Sequence, residues 1–270
     1  MTGSAADIDL HLHSERSDGH DTPLAVAHAN HHRRAWSLTD HDSTAGVQAV
    51  RGAPGLVPGV EITAALDGQE VHIVALGIRL DHAPLQSFLA DIRDRRRVRI
   101  GRLLERLPER IRRTLSLADF PAGDGRSLGR AHLARALVRR GGASTIAEVF
   151  ADWLGDEHTA DPELNPFPEP AAVCALIHAA DGVAILAHPP VYGTWTRALA
   201  VAESCGPDLD GVERDCPGTD PHWTAAIDAE ADRRDWLLSR GSDRHRMAHR
   251  PLPEAPLLPR QEALLERLRA

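Results

Sequence analysis

Aromatic residues are nearly missing from this chain: one tyrosine and four phenylalanines stand beside sixteen histidines in 270 residues. With so few rings, Trp153 and Trp223 are expected in core or interface packing rather than stacked on a base. The three cysteines, Cys174, Cys205 and Cys216, lie in no paired or CxxC spacing, which excludes a disulfide framework or a zinc ribbon and fits a reducing cytoplasm. Positive charge is not in excess: the net charge of −8 excludes a broad nucleic-acid-coating surface and stable duplex DNA binding, while leaving room for a local basic patch. No apolar run reaches the roughly 18 residues of a membrane span, and the start, MTGSAADID, is polar and acidic rather than a leader. A soluble, cytoplasmic protein is expected, long enough for one large core or two small ones. Nothing in the sequence gives its oligomeric state.

Short runs rich in Val, Ile and Leu recur with helical stretches between them, the pattern of βα units and a parallel sheet or barrel. Strands are predicted at 8–13, 35–41, 56–63, 70–78, 182–188, 210–214 and 236–243. Between the fourth and fifth of them the strand pattern stops. Residues 91–113 instead repeat apolar positions at helical spacing, and GRAHLARALVRRGG and ASTIAEVFADWLG read as two further helices, the former closed by its glycine pair. The acidic, proline-rich stretch 156–170 reads as an ordered linker back to the strands. The proline-rich tail after Arg250 is expected to wrap the outside.

The polar residues gather on those strands. His11 and His13 alternate with Leu10 and Leu12, so both imidazoles face one side at the end of the first strand. Asp18 follows in SDGH, His41 ends the second strand in TDHDSTAG, and Glu61 ends the third. His188 ends the fifth, and Asp243 and His245 follow the seventh. Of these nine candidates only His72 lies inside its strand. In a parallel barrel the C-terminal strand ends form one mouth, where such folds place their chemistry. A His/carboxylate set without thiolates suits Zn, Mn or Fe, and nine ligands suit two or three divalent ions sharing a bridging carboxylate. Asp40 and Asp42, beside His41, are read as groups orienting it or as surface residues.

The segments DLHLHSERSDGHDTP, SLTDHD, GVEI, EVHIVALGI, GRAHLARALV, GVAILAHP, DGVER and GSDRH resemble, in order, the motifs of the PHP (polymerase and histidinol phosphatase) family. They are most similar to its branch of nucleoside 3′,5′-bisphosphate phosphatases and ribonuclease AM-like phosphoesterases. The resemblance implies a distorted (βα)7 TIM-like α/β barrel: residues 1–80 and 171–270 supply the barrel, and 81–170 a helical cap between strands 4 and 5. It implies one metal on His11, His13, Glu61 and Asp243, a second on Glu61, His72 and His188, and a third on Asp18, His41 and His245. GRAHLARALV matches an insertion motif whose arginine and histidine face substrate in this branch, so Arg130 and His132 are candidate phosphate contacts. Ala131 stands where that motif has proline, Arg244 where an aromatic or small residue is usual, and ERDCPG replaces a more apolar stretch. Arg244 joins the candidate substrate contacts.

Such a site hydrolyses a phosphate ester by attack of a metal-activated hydroxide, with the metals and an arginine stabilising the phosphate oxygens. Glu61, Asp18, His245 and Arg130 are the candidate catalytic residues, and a small nucleotide or short oligonucleotide the expected substrate. The alternatives are a small-metabolite phosphatase of the histidinol-phosphate type, or a noncatalytic metal-binding module. The arginines of 91–113 are expected to pair with Asp94, Glu105 and Glu109 on a solvated helix rather than to attract a polyanion. His20, His28, His31, His32, His82, His158, His178 and His222 are read as surface residues, His249 as a tail residue, and Glu213 as a group behind the ligands.

Overall fold

The computed structural model describes residues 8–120, 123–249, 252–253 and 255–269. Seven strands form where the sequence places them: β1 Ile8–Leu12, β2 Ala35–Leu38, β3 Gly59–Leu66, β4 Gln69–Leu76, β5 Val183–Leu186, β6 Gly211–Asp215 and β7 Leu237–Arg240. They make a parallel pair, β1–β2, and a five-stranded sheet in the order β3-β4-β5-β6-β7. Isolated parallel bridges join the two sheets, His41 to Glu61 and Trp36 to Leu56 at one seam and Leu12 to Arg244 at the other.

The described strands thus form a mixed α/β arrangement, not the closed barrel the sequence led us to expect. The reason lies in who uses the seam donors. Asp42 takes the Thr63 backbone N–H (2.7 Å) and Asp9 that of Ser242 (2.8 Å), donors that a continuous ladder would need. Asp42 and Asp243 also carry φ of 50° and 49°, which turns the backbone out of strand geometry.

A second departure is the direction of β4, which is antiparallel to both β3 and β5. Asp67 and Gly68, with φ of 53° and 75°, close β3 and β4 into a two-residue hairpin. Asp-Gly between two apolar runs is a strong hairpin signal, because both positions need positive φ. The end of β4 nearest the other strands' C-terminal ends is therefore its N-terminal end, and His72 sits opposite Thr63. That is why His72 reaches the same mouth from within its strand; Glu61, expected to end its strand, also lies inside it, third of the eight residues of β3, and His11 lies within β1.

Helices α1 Pro23–Asn30 and α2 Ala45–Ala49 follow β1 and β2. Between β4 and β5 come α3 Ala83–Arg106, α4 Glu109–Arg112, α5 Arg130–Arg139, α6 Ile146–Val149, α7 Asp156–Thr159 and α8 Pro170–Ala179. Helices α9 Trp195–Ser204, α10 Pro221–Arg234 and α11 Pro259–Arg267 complete the order. The stretch from α3 to α7 builds its own apolar cluster, with Ile100, Leu103, Leu133, Leu137, Val149 and Leu154 buried together. The main cluster packs Trp36, Leu38, Ile62, Ile73, Ile177 and Val212 behind the strands. Trp153 packs on the first cluster and Trp223 on the second, as their scarcity implied.

Two readings of helices need correcting. The arginines of α3 do not simply bond along a solvated face: Arg96 and Arg99 are buried, and reach Asp42 and Glu70. Arg106 pairs with Asp161 (2.6 Å), and Arg97 donates to the Phe120 carbonyl (2.6 Å). Of the partners expected, Glu109 pairs with Arg113; Asp94 and Glu105 hold no arginine by an ion pair among the described residues. The tail does not lie on the outside either. Leu264 and Leu265 of α11 are buried against Ile8, Val74, Leu76, Val183 and Ile185, plugging the end of the strands opposite the histidines.

Candidate metal centre

Glu61, the last buried acid of VEI in β3, is fully enclosed and faces five imidazoles. Its Oε2 lies 3.0 Å from His11 Nε2, 3.2 Å from His13 Nε2 and 3.1 Å from His41 Nδ1. Its Oε1 lies 3.1 Å from His72 Nδ1 and 3.0 Å from His188 Nε2. Asp243 stands 3.0 Å from His13 Nε2, and Asp18 3.1 Å from His245 Nε2.

The outer nitrogens of four of these rings are committed to the protein. His11 Nδ1 donates to Glu213 Oε1 (2.8 Å), and His245 Nδ1 to the Asp243 carbonyl (2.9 Å). His13 Nδ1 donates to Ser17 Oγ (3.3 Å), whose hydroxyl donates to Asp40 (2.7 Å), and His72 Nε2 to Glu70 (3.2 Å). Each inner nitrogen is thereby left as a lone pair aimed at the carboxylates, the arrangement of metal-ligating histidines. Lone pairs so close repel unless a proton or a cation lies between them. Ligand atoms around a tetrahedral ion lie about 3.3 Å apart, matching the spacing here.

The donors fit divalent cations on a further ground: Asp18 Oδ1, His41 Nδ1 and Glu61 Oε2 are buried with no hydrogen-bond partner. Three groups of ligand atoms converge: His11, His13, Glu61 and Asp243; His13, Asp18, His41 and His245; and His41, Glu61 and His72. These groups take in eight of the nine candidates, and His188 joins them through its Nε2, 3.0 Å from Glu61. His13 and His41 each belong to two groups, a sharing that the spacing along the chain does not reveal.

The electrostatics agree. Burial pushes the Glu61 carboxyl up, but the facing His41, His11 and His72 more than reverse it and hold it well below the usual carboxylate range. Asp18 is likewise held low by His245 and His41 against the effect of burial. Burial lowers His72 and His245, yet Glu61 and Glu70 beside the first and Asp18 beside the second raise each to about 10. A field that binds protons this strongly also binds divalent cations, which displace those protons. His41 moves the other way, lowered by burial and by its neighbours His13 and His72.

Several flanking residues sit differently from expectation. Asp40 and Asp42 are buried, and neither accepts from His41: Asp40 holds the Ser14 backbone N–H (2.7 Å) and Ser17, and Asp42 holds Thr63 and Arg96. They fix the loops that carry the ligands. Arg244 points away from the centre, because the side chains of Asp243 and His245 take the opposite face; it is buried 3.6 Å from Asp9. Arg130 is occupied, donating to Asp156 (2.6 Å), Thr159 (3.0 Å) and the Leu154 carbonyl (3.0 Å), and lying 3.3 Å from Glu70. His132 accepts the Gly129 N–H (3.1 Å), and burial pushes it down to about 4, so it is neutral at ordinary pH. Glu213 is buried behind His11, and also accepts the His188 N–H (2.7 Å). Glu70, absent from the sequence reading, carries Arg96, Arg99 and Arg130 against His72. Its signal was available: it lies two residues before His72 on the same face of β4.

No family profile matches the chain. It is 34% identical over 259 residues to the 5′-3′ exoribonuclease Rnm of Escherichia coli, covering 90% of this chain and 87% of that one. It is 33% identical over 202 residues to the 3′,5′-nucleoside bisphosphate phosphatase of Chromobacterium violaceum, covering 69% of this chain and 68% of that one. A solved structure from Bifidobacterium adolescentis, described as a metal-dependent phosphoesterase, superposes with a TM-score of 0.80 at 28% identity, covering 98% of this chain and 96% of that one.

Proposed function

The chain belongs to the PHP family of metal-dependent phosphoesterases, hydrolases of phosphoric ester bonds, and from that premise we propose that it cleaves phosphate esters of small nucleotides. Its substrates are nucleoside 3′,5′-bisphosphates, losing the 3′-phosphate, and short RNA, shortened from the 5′ end. The observation that carries this reading is Glu61, a fully buried carboxylate ringed by five imidazoles.

Two or three divalent ions, Mn, Fe or Zn, would be held: one by His11, His13, Glu61 and Asp243, one by Glu61, His72 and His188, and one by Asp18, His41 and His245. Bound there, such ions supply an activated water and positive charge for the phosphate oxygens. Glu61 would bridge between ligand groups, and the facing His41, His11 and His72 keep it ionised against the effect of burial. His245 is the most exposed of the candidate ligands, its side chain 31% exposed, and with Asp18, 3.1 Å away, it forms the pair placed to handle the proton of the leaving oxygen. Arg130 serves the centre through Glu70, which fixes His72, while neutral His132 faces the substrate from the helical cap of residues 81–170.

Mass-spectrometric product analysis tests this. Mn²⁺-loaded protein and its Glu61→Gln variant are incubated with adenosine 3′,5′-bisphosphate and a 5′-phosphorylated RNA trinucleotide. We expect 5′-AMP and phosphate from the first and 5′-mononucleotides from the second, with the variant near background. Survival of both substrates alongside cleavage of an aryl phosphate would overturn the nucleotide reading and leave the metal centre; equal turnover by the variant would overturn the role of Glu61.

A further inference from the structure

An open cavity of about 480 Å³ adjoins the Asp18 and His245 side of the centre. Its wall comes from the loop after β1, the start and length of α5, and the stretch after β7. Arg126, Arg135, Arg139 and Arg246 line it together with His20, and Glu15 is the one carboxylate among its lining residues. Among the described residues none of these arginines makes an ion pair with a carboxylate, whereas Arg96, Arg99, Arg106, Arg130 and Arg214 all do. Arg135 donates to the Asp18 backbone carbonyl (2.9 Å), tying the cavity directly to a candidate ligand loop. His20 lies between Arg135 and Arg246, 3.3 and 3.2 Å from their guanidinium nitrogens.

Like charges gathered this way repel. Burial lowers the Arg135 guanidinium, and Arg139 and Arg246 lower it further once the opposing pull of Asp18 is set aside. Such an arrangement is stabilised by an anion that the guanidinium forks can grip. Val138, between Arg135 and Arg139 on α5, and Ile146, 44% exposed, add apolar surface suited to a base or a ribose. A smaller cavity of about 190 Å³ shares Arg126, His132, Arg135 and Arg139, so the basic surface continues beyond the first.

We propose that this cavity binds phosphate groups of a single-stranded RNA other than the one being cleaved, and so selects an oligonucleotide chain over a lone phosphomonoester. The proposal deepens the nucleotide reading above and rests on it for the identity of the chain. Because guanidinium never loses its charge in this setting, the grip persists across the physiological pH range.

The test is binding, independent of cleavage. A 5′-phosphorylated phosphorothioate RNA hexanucleotide, labelled with fluorescein at its 3′ end, is titrated with Mn²⁺-loaded protein and with the Arg126→Ala/Arg139→Ala variant, and anisotropy is followed over a range of salt. We expect binding at least tenfold weaker in the variant, and a log–log salt slope shallower by about 1.4, since each lost phosphate contact on a single strand removes roughly 0.7. Hydrolysis of p-nitrophenyl phosphate should be the same in both proteins. Equal affinity and slope would overturn the proposal, as would a parallel loss of aryl phosphate turnover, which would place the effect in the centre or the fold. A 5′-hydroxyl hexanucleotide separates the two sources of phosphate: arginine dependence only with the 5′-phosphate assigns the cavity to the chain end, and dependence with both assigns it to internal diesters. Arginine-dependent binding without cleavage of unmodified RNA would uphold the cavity while removing the proposed activity.

Discussion

Glu213 touches neither substrate nor a candidate ion, yet its carboxylate decides which nitrogen of His11 is free. By accepting from Nδ1 at 2.8 Å it leaves the Nε2 lone pair toward Glu61. The Glu213→Gln amide can turn a donor to that nitrogen and upset the tautomer. We expect Mn²⁺ affinity or turnover to fall by about 10–100-fold, as for other groups that orient metal ligands, with the thermal midpoint little changed. Metal titration and kcat on the same preparation decide it; unchanged values would reduce Glu213 to packing. Backbone strain accompanies this ordering: His188, Asp243 and Asp42 adopt φ of 30°, 49° and 50°. Each such residue costs about 1–3 kcal/mol and persists only where its surroundings hold it. The hydrogen bonds of the His188 N–H to Glu213 and of the Asp243 N–H to the His11 carbonyl (2.9 Å) supply that hold.

The reversal of β4 is made by two residues. Gly68 has φ of 75°, and a Cβ there would stand 2.7 Å from the Pro162 ring. Gly68→Ala should therefore lower stability by at least about 1–2 kcal/mol, the usual penalty for placing a side chain in left-handed backbone. Urea denaturation reads this, and an unshifted midpoint would mean that the hairpin is held elsewhere. Neighbouring α3 acts as a clamp: Arg96 and Arg99 enter the core to meet Asp42 and Glu70, and Arg130 of α5 closes on the same glutamate. Helical spacing predicted that α3 would form, but it could not predict which carboxylates its arginines would reach, because those partners, Asp42 after β2 and Glu70 in β4, lie more than twenty residues away.

In the whole molecule, ligands from six strands or the loops that follow them meet at one end while α11 closes the other, so cation binding and folding are coupled. Chelation should lower the thermal midpoint and Mn²⁺ restore it; an ion present at 100 times its Kd contributes about 2.7 kcal/mol. An unmoved midpoint would deny that the constellation binds ions at all. No described helix is long and apolar enough to cross a membrane. The sequence by itself determined the seven strands, the helical stretch between β4 and β5, and the nine residues that converge, because alternation and strand ends are local properties of the chain. Tertiary structure decided the rest. It set the direction of β4, the open seams where Asp9 and Asp42 take ladder donors, the turning of Arg244 away from the centre, and the gathering of Arg126, Arg135, Arg139 and Arg246 around one cavity. Those features depend on which residues, up to more than two hundred positions apart, compete for the same donor or share the same wall, and only the folded chain brings them within reach of one another.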